Sequence, residues 1–306
     1  MKRFVIKLAL FIGVCVLLDM LCGKVFVEMK AHSLGGEIGK IEYIADKMNA
    51  PILVFGSSRA THHYDPRILA DSLGMDAYNC GLDGNGIIFT YGQYSMFKNR
   101  YIPKLVICEL SSGFDLLYET DNRKYINYLR PNYSRGDVAS IVQKIDTTER
   151  WKMWSQAYRF NTHFVKVILG VKMSTFSTIK GYLPIDRVMN YEPQHAQEVP
   201  NSVFVYDSLK LFYWHQLIAD CRERGTKLVF AISPKYRGGK ADEAVFKPLL
   251  DLAEANDIPV INHYSDTVFS TKKEYFYDST HMNIVGATAY TRQLASELRP
   301  LLVDIL

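Results

Sequence analysis

The sequence has few cysteines, and they are not spaced as metal ligands. It contains five, and two of them, Cys15 and Cys22, lie in an apolar N-terminal stretch. The other three, Cys80, Cys108 and Cys221, are odd in number and show no CxxC spacing, which argues against a disulfide framework and against a zinc or iron–sulfur site. We interpret these three as small buried hydrophobic residues. We predict that the protein binds no metal and no cofactor.

The sequence also lacks a large excess of charge of either sign. Lysine and arginine number 36 against 32 for aspartate and glutamate, and no run of five basic residues occurs. The formal net charge of +4 therefore does not point to nucleic acid as a partner. Hydrophobic residues make up 48% of the 306-residue chain, which excludes a disordered chain, a collagen-like fibre and a polytopic membrane protein.

One long apolar run lies at the N-terminus. Lys2 and Arg3 precede residues 4–22, which only Lys7 and Asp19 interrupt. This length is close to the roughly 20 residues that span a bilayer, and the run lacks the stripe of a buried amphipathic helix. No A-x-A motif follows it, so we predict an uncleaved anchor over residues 1–23, with a cleaved signal peptide as the rival interpretation. Positive charge before the span predicts that the bulk of the chain is extracytoplasmic, in the periplasm.

After a helical stem at residues 24–50, short apolar runs alternate with helical patterns. The runs in PILVFGSS, MDAYNCG, KLVICEL, TKLVFAISP and IPVINHY predict five buried strands. A helix between the first two is marked by Asp65 as N-cap, Pro66 at its first position and Gly74 after its end. This alternation predicts an α/β fold with a mostly parallel sheet, and with the active-site crevice at the carboxyl ends of the strands.

Residues from about 115 to 200 interrupt the alternation. Seven tyrosines and two tryptophans, Trp151 and Trp154, fall in this segment, and no strong strand pattern is visible. We interpret it as a helical, aromatic-rich insertion in a domain of residues 51–306. Either it is a packing subdomain, or it is a lid or platform on which sugars stack, and in that case Trp151 and Trp154 line the substrate site.

Two short motifs carry residues suited to acyl-transfer chemistry. GSSR at residues 56–59 directly follows a strand, where a serine can present its hydroxyl beside backbone N–H groups. DSTH at residues 278–281 places an aspartate three residues before a histidine that can take a serine proton. Each motif alone is ordinary, because small residues suit any turn and Asp278 can simply cap a helix. Together they place a nucleophile and a base in one crevice.

These motifs resemble the conserved blocks of the SGNH/GDSL hydrolase superfamily, over roughly residues 50–114 and 203–300. The family's first block is GDS, and GSS here puts Ser58 at the nucleophile and Ser57 at the family's aspartate. The family's final DxxH block matches Asp278 and His281. The resemblance implies a three-layer, flavodoxin-like fold and a catalytic triad of Ser58, His281 and Asp278.

The blocks that supply the family's oxyanion hole match less closely. Gly84, in YNCGLDGNG, matches the glycine whose N–H donates to the oxyanion. The third block, GxND, normally supplies a donor asparagine, but residues 111–115 read SSGFD. Ser111 or Ser112, or Asn85 from the second loop, are the expected substitutes. The GSSR opening, the anchor and the missing asparagine most resemble the exported branch that works with membrane-bound O-acyltransferases on cell-surface polymers.

Two further residues are candidates to line the substrate site. Arg59 is expected either to bind an anionic substrate or to pair with a carboxylate such as Asp83. Tyr236 follows a predicted strand at its carboxyl end and is expected to line the crevice. His62 and His63 are adjacent on a turn and therefore point in different directions, so they do not predict a metal site.

The expected function is that of an exported serine esterase or O-acyltransferase. Its expected substrates are O-acyl groups of a cell-surface glycan, with O-acetyl as the leading candidate. Its expected partners are the glycan, a membrane-bound O-acyltransferase and the membrane itself. Two alternatives stay open. One is a non-catalytic accessory protein that binds polysaccharide in the same crevice. The other is an unrelated α/β domain in which the motifs match by chance.

Overall fold

The computed structural model describes residues 1–33, 35–172, 178–193 and 204–303. Parts of the predicted insertion, at residues 173–177 and 194–200, therefore lie outside the described residues.

Five parallel strands form one sheet in the order β2-β1-β3-β4-β5. They are β1 (Ile52–Phe55), β2 (Ala77–Asn79), β3 (Leu105–Glu109), β4 (Lys227–Ile232) and β5 (Val260–Asn262). Every residue of β1, β2 and β3 is buried, which explains their continuous apolar runs, since a parallel sheet is covered on both faces. The predicted α/β class, its parallel sheet and the five predicted strands are confirmed.

Helices connect these strands and precede them. The α-helices are α1 (Lys2–Ala31), α2 (Gly36–Asp46), α3 (Ser58–His63), α4 (Pro66–Leu73), α5 (Ile87–Phe97), α6 (Ser112–Asp115), α7 (Val138–Ile145), α8 (Glu149–Lys152), α9 (Gln156–Phe160), α10 (Phe164–Lys172), α11 (Ser208–Glu223), α12 (Lys240–Glu243), α13 (Lys247–Glu254), α14 (Thr267–Ser270) and α15 (Ile284–Leu301). Short 3-10 helices cover Asn122–Ile126, Arg130–Asn132, Ala244–Phe246 and Lys273–Tyr275.

The ends of α4 follow the predicted signals. The Asp65 carboxylate accepts a hydrogen bond from the Arg67 N–H at 2.9 Å, and Pro66 occupies the first helical position. Gly74 ends the helix with φ +69°, in the left-handed conformation that favours glycine. Asn283 caps α15 in the same way as Asp65 caps α4, by accepting from the second and third N–H groups of the helix.

The chain divides into two compact units. We call them the helical unit, which comprises residues 1–47, 92–99 and 121–177, and the sheet unit, which comprises residues 48–91, 100–120 and 178–306. Most of the predicted stem and most of the predicted insertion belong to the helical unit. The chain passes from the sheet unit into the helical unit within α5, at Gly92.

The helical unit packs around the second half of α1. The Phe26 ring stacks on Phe160 at a centroid distance of 5.4 Å, and Ile38 and Val167 complete a buried apolar cluster with Phe160. Among the described residues, α1 is the helix that is long and apolar enough to cross a membrane, and a signal sequence near an N-terminus satisfies the same criteria. Lys30, near its end, forms a buried ion pair with Glu42 at 3.1 Å.

The sheet unit contains the larger apolar core. Side chains of β1, β3 and β4 form this core together with α4 and α15. The Tyr64 and Tyr290 rings meet edge to face at 5.4 Å within it. The core fixes α3 and the segment before α15, and these two elements carry the predicted nucleophile and the predicted base.

Candidate active site

Ser58 lies where β1 turns into α3. Gly56 makes the turn with φ +141°, and a Cβ there would lie 2.7 Å from the Glu109 carbonyl oxygen, so no other residue fits without strain. Ser57 is only 1% exposed, and its hydroxyl has no hydrogen-bond partner among the described residues. Ser58, in contrast, is partly exposed at the start of α3. The turn therefore presents Ser58, and not Ser57, at the carboxyl edge of the sheet.

Asp278 and His281 lie in a tight turn before α15. The Asp278 Oδ1 atom accepts hydrogen bonds from the backbone N–H groups of Thr280 and His281, both at 2.7 Å. This is the local hydrogen bonding that makes aspartate a frequent turn residue. The same carboxylate lies 2.9 Å, through Oδ2, from Nδ1 of the His281 ring. One aspartate thus fixes both the backbone and the ring of the histidine.

The structure brings Ser58, His281 and Asp278 together in one hydrogen-bonded chain. The Ser58 Oγ atom lies 2.7 Å from Nε2 of His281, although the two residues are 223 positions apart. Because the Asp278 carboxylate can only accept, Nδ1 of His281 carries the proton and Nε2 is left to accept from the Ser58 hydroxyl. This is the geometry of a serine nucleophile with its general base and an orienting carboxylate.

The electrostatics of this chain favour an ionised aspartate. Burial opposes ionisation of Asp278, but hydrogen bonds from the His281 ring and from two backbone N–H groups outweigh it and lower the pKa of the carboxyl group. The side chains of His281 and Asp278 are each about one quarter exposed, so the pair opens to the surface. An ionised carboxylate in this position stabilises the imidazolium that forms when His281 takes a proton.

A buried polar network lies directly beneath the site. The Arg59 Nε atom pairs with Glu109 Oε1 at 3.0 Å, and Glu109 also accepts from the Ser233 hydroxyl at 2.8 Å and from the Tyr64 hydroxyl. The Arg59 Nη2 group donates to the Ser233 carbonyl. Burial raises the pKa of Glu109, although Arg59 and the hydroxyl donors act against it. Because Arg59 is buried in this network, its guanidinium does not line the crevice, and its partner is Glu109 and not Asp83.

His63 connects this network to the segment that carries the base. Its Nδ1 lies 2.7 Å from the Ser233 hydroxyl, and its Nε2 accepts from the backbone N–H of Met282 at 2.9 Å. Burial, reinforced by the positive charge of Arg59, lowers the pKa of His63 well below its ordinary value, so the ring is neutral. Ser233 follows β4 at its carboxyl end, and this position was a local signal for a site residue, but no sequence pattern marked His63 as its partner.

His62 and His63 lie on α3 and not on a turn, and they point in different directions because adjacent residues of a helix are about 100° apart around its axis. Its Nδ1 lies 2.6 Å from the Leu183 carbonyl oxygen and its Nε2 lies 3.2 Å from Asp83. Burial opposes ionisation of Asp83, but the hydrogen bond with His62 outweighs it and lowers the pKa of the carboxyl group. The His62 ring meets the His281 ring edge to face at 5.7 Å. His62 thus contacts His281, and Asp83 contacts His62.

The predicted oxyanion donors lie on two loops. Gly84 has φ +69° and is exposed, and no described residue accepts a hydrogen bond from its N–H. Asn85 is buried and its Nδ2 donates to the Asp83 carbonyl at 2.8 Å. The Ser111 N–H donates to Asp115, which also accepts from the N–H of Ile87. Asp115 thereby ties the loop of Asn85 to the loop of Ser111, and the Gly84 N–H stays available.

The remaining predicted site residues are Tyr236, Trp151 and Trp154. Tyr236 is buried and its ring packs against Phe276 at a centroid distance of 5.6 Å, so its side chain belongs to the core. Its backbone N–H donates to the carbonyl of Ser279. Trp151 and Trp154 belong to the helical unit, where both are exposed. Within the described residues, no group of three or more His, Cys, Asp or Glu side chains is arranged to hold a metal ion.

Comparison with known proteins gives no family for this chain. No protein-family model matches it, and no curated protein matches it. The contacts of Ser58, His281 and Asp278 are therefore the basis of the proposed function.

Proposed function

We propose that this protein is an exported serine esterase or O-acyltransferase of the SGNH/GDSL type, and that it acts on O-acyl groups of a cell-surface glycan. The observation that carries the proposal is the chain of two hydrogen bonds, 2.7 Å from Ser58 to His281 and 2.9 Å from His281 to Asp278. The parallel sheet and the position of Ser58 after its first strand support the same assignment.

In the proposed reaction, Ser58 Oγ attacks the acyl carbonyl carbon while Nε2 of His281 takes the hydroxyl proton. The carbonyl oxygen becomes an oxyanion, and we propose the N–H groups of Gly84 and Ser58 as its hydrogen-bond donors. When the tetrahedral intermediate collapses, His281 returns the proton to the leaving alcohol, and the acyl group remains on Ser58. A water molecule or a sugar hydroxyl then attacks the acyl-Ser58, with His281 again acting first as base and then as acid.

Helix α1 supports the proposed site of action. Lys2 and Arg3 precede its apolar residues, and this charge distribution supports an anchor that leaves the sheet unit outside the cytoplasm, in the periplasm. An exported acyl-transfer enzyme on a membrane anchor needs an acyl supply, because activated acyl donors are made in the cytoplasm. A membrane-bound O-acyltransferase is the partner that would deliver it.

A fluorophosphonate probe tests whether Ser58 is an activated nucleophile. The full-length protein should be labelled covalently, and Ser58→Ala or His281→Ala should abolish labelling. Ser57→Ala is the matched control, because Ser57 is buried beside the nucleophile and should leave labelling intact. Absence of labelling in the folded wild-type protein would instead favour the non-catalytic accessory protein that binds polysaccharide.

A further inference from the structure

Trp151 and Trp154 form an exposed aromatic pair in the helical unit. Their rings meet edge to face at 5.4 Å, and the side chains are 61% and 73% exposed. The Arg150 guanidinium lies over the Trp151 ring at 5.3 Å. Tryptophan is enriched where a protein surface meets the headgroup region of a bilayer, because its ring is apolar and its N–H is polar.

The segment that carries the pair is held in place by a buried carboxylate. Glu149, two residues before Trp151, accepts from Arg130 Nε at 2.9 Å and from the Tyr158 hydroxyl at 2.8 Å. A buried carboxylate is costly unless its oxygens are paired, so these contacts fix α8 against the neighbouring segment. The two tryptophans are therefore displayed on ordered backbone.

The next residues along the chain bond directly to α1. The Asp19 carboxylate accepts from the Ser155 hydroxyl at 2.8 Å, from the Gln156 N–H at 2.7 Å and from the Ala157 N–H at 2.9 Å. Gly23, one helical turn further on, packs so closely that an added Cβ would lie 2.4 Å from Gln156. Ser155 directly follows Trp154, so these contacts place the tryptophan pair at the level of Asp19 to Gly23 on α1.

Helix length places that level at the outer border of a bilayer. Arg3 and Lys24 bracket residues 4–23, and twenty residues at about 1.5 Å each span roughly the 30 Å of a hydrocarbon core. Asp19 then lies about 6 Å inside the outer border. An isolated carboxylate there would be costly, but three donors of the helical unit already satisfy it.

We propose that the Trp151–Trp154 pair and the adjoining Ser155–Gln156 backbone lie in the headgroup–acyl boundary of the outer leaflet. The partner of this surface is the phospholipid bilayer itself. The helical unit then contacts the membrane and does not serve as a platform for sugars. This inference requires α1 to cross the membrane. It does not depend on the acyl chemistry of Ser58, so it can fail or succeed independently of the proposed function.

Tryptophan fluorescence in vesicles tests the proposal directly. The chain has three tryptophans, and the third, Trp214, is only 2% exposed. Full-length protein in vesicles of phosphatidylcholine with dibrominated acyl chains should emit at least two-fold less than in unbrominated vesicles, because bromine quenches a ring at contact. A Trp151→Phe/Trp154→Phe double variant should lose nearly all of this quenching and retain the emission of Trp214.

Two controls make the result decisive. In the double-variant background, Phe11→Trp puts a ring near the middle of the apolar run, where it is 65% exposed on α1, and it should be strongly quenched by the brominated chains. Aqueous iodide should leave the native pair largely unquenched in vesicles. The proposal would be overturned if iodide quenched the tryptophan pair and if brominated lipid quenched the wild-type protein no more than the double variant.

Discussion

Nε2 of His63 accepts a hydrogen bond from the backbone N–H of Met282 at 2.9 Å, and Met282 directly follows His281. His63 lies on α3, the helix that begins with Ser58. The proposed nucleophile and the proposed base are therefore connected by a contact that uses neither of their side chains. This makes His63 a positioning residue: it fixes the distance between Ser58 and His281 without touching the reacting atoms.

Replacing His63 should lower turnover more than substrate binding. His63→Ala leaves the Met282 N–H without its partner and lets the His281 segment shift, and a displacement of about 1 Å can cost about 100-fold in rate. We expect kcat for p-nitrophenyl acetate to fall by about 10- to 100-fold with little change in KM. His63→Gln, which can still accept from Met282, should recover part of the activity. Equal kcat in wild type and His63→Ala, with only thermal stability lowered, would mean that the contact is merely structural.

Glu109 should contribute more to stability than an exposed carboxylate does. Glu109→Gln removes the charge that balances buried Arg59, and breaking a buried ion pair in this way costs about 3–5 kcal/mol. The matched control is Asp251→Asn, because Asp251 pairs with Lys247 on the surface, where the two side chains are 58% and 72% exposed. That change should cost less than about 1 kcal/mol. Urea denaturation of the detergent-solubilised proteins measures the free energy of unfolding of both variants. Similar losses in Glu109→Gln and Asp251→Asn would contradict the role of the Arg59–Glu109 network in stability.

Local sequence signals predicted most of the sheet unit. The strands are buried on both faces, so their apolar runs are continuous, and Asp65 and Gly74 mark the ends of a helix by chemistry that acts within a few residues. The GSS and DxxH motifs also gave Ser58, Asp278 and His281 in the arrangement that the structure has. Each of these signals lies within a short stretch of chain.

The remaining features depend on contacts between distant positions. Arg59 is predicted either to bind an anionic substrate or to pair with a carboxylate such as Asp83, but strand order brings the end of β3 beside β1, and this puts Glu109 under Arg59. Asp19 was expected only to interrupt an anchor, but it bonds to residues 136–138 positions away. No local pattern encodes which distant segments will be neighbours, so neither partner was predictable.

Asp115 should make stability depend on pH near neutrality. Burial raises the pKa of its carboxyl group from 3.8 to about 7, despite the N–H donors of Ser111 and Ile87. A raised pKa means that the folded state favours the protonated carboxyl group. The contribution of Asp115 to the free energy of unfolding is therefore complete below about pH 4 and is lost as the pH rises to 7. The loss should be on the order of 4 kcal/mol at most, at about 1.4 kcal/mol per pH unit.

The pH effect of Asp115 is isolated by comparison with Asp115→Asn, which cannot titrate. The difference in free energy of unfolding between wild type and variant, measured in urea at one-unit steps from pH 4 to 8, should decline up to about pH 7 and then level off. Asp278 and Asp83 have lowered pKa values, so their contributions to the free energy of unfolding increase with pH. These contributions are equal in the two proteins and cancel in the difference. Parallel pH profiles would contradict the prediction.

Asn85 should serve as an oxyanion donor in the proposed reaction. Its Nδ2 group has two hydrogens, and only one of them can bond to the Asp83 carbonyl. Asn85→Ala should therefore reduce kcat for p-nitrophenyl acetate by about 100- to 1,000-fold, the loss seen when one oxyanion donor is removed. Ser111→Ala, on the other loop, should change kcat much less. The reverse order of the two effects would assign the donor to Ser111.

The 223 positions between Ser58 and His281 also set when their contact can form during synthesis. At about 5–20 residues per second, the ribosome needs roughly 10–45 s after making Ser58 before it makes His281. The sheet cannot be completed earlier either, because β4 and β5 follow β3 by more than a hundred residues. Until then the serine has neither its base nor its orienting carboxylate. If the proposed function is correct, a nascent or truncated chain cannot take up an acyl group, because the hydrogen-bonded chain of Ser58, His281 and Asp278 forms only when the last segment folds onto α3.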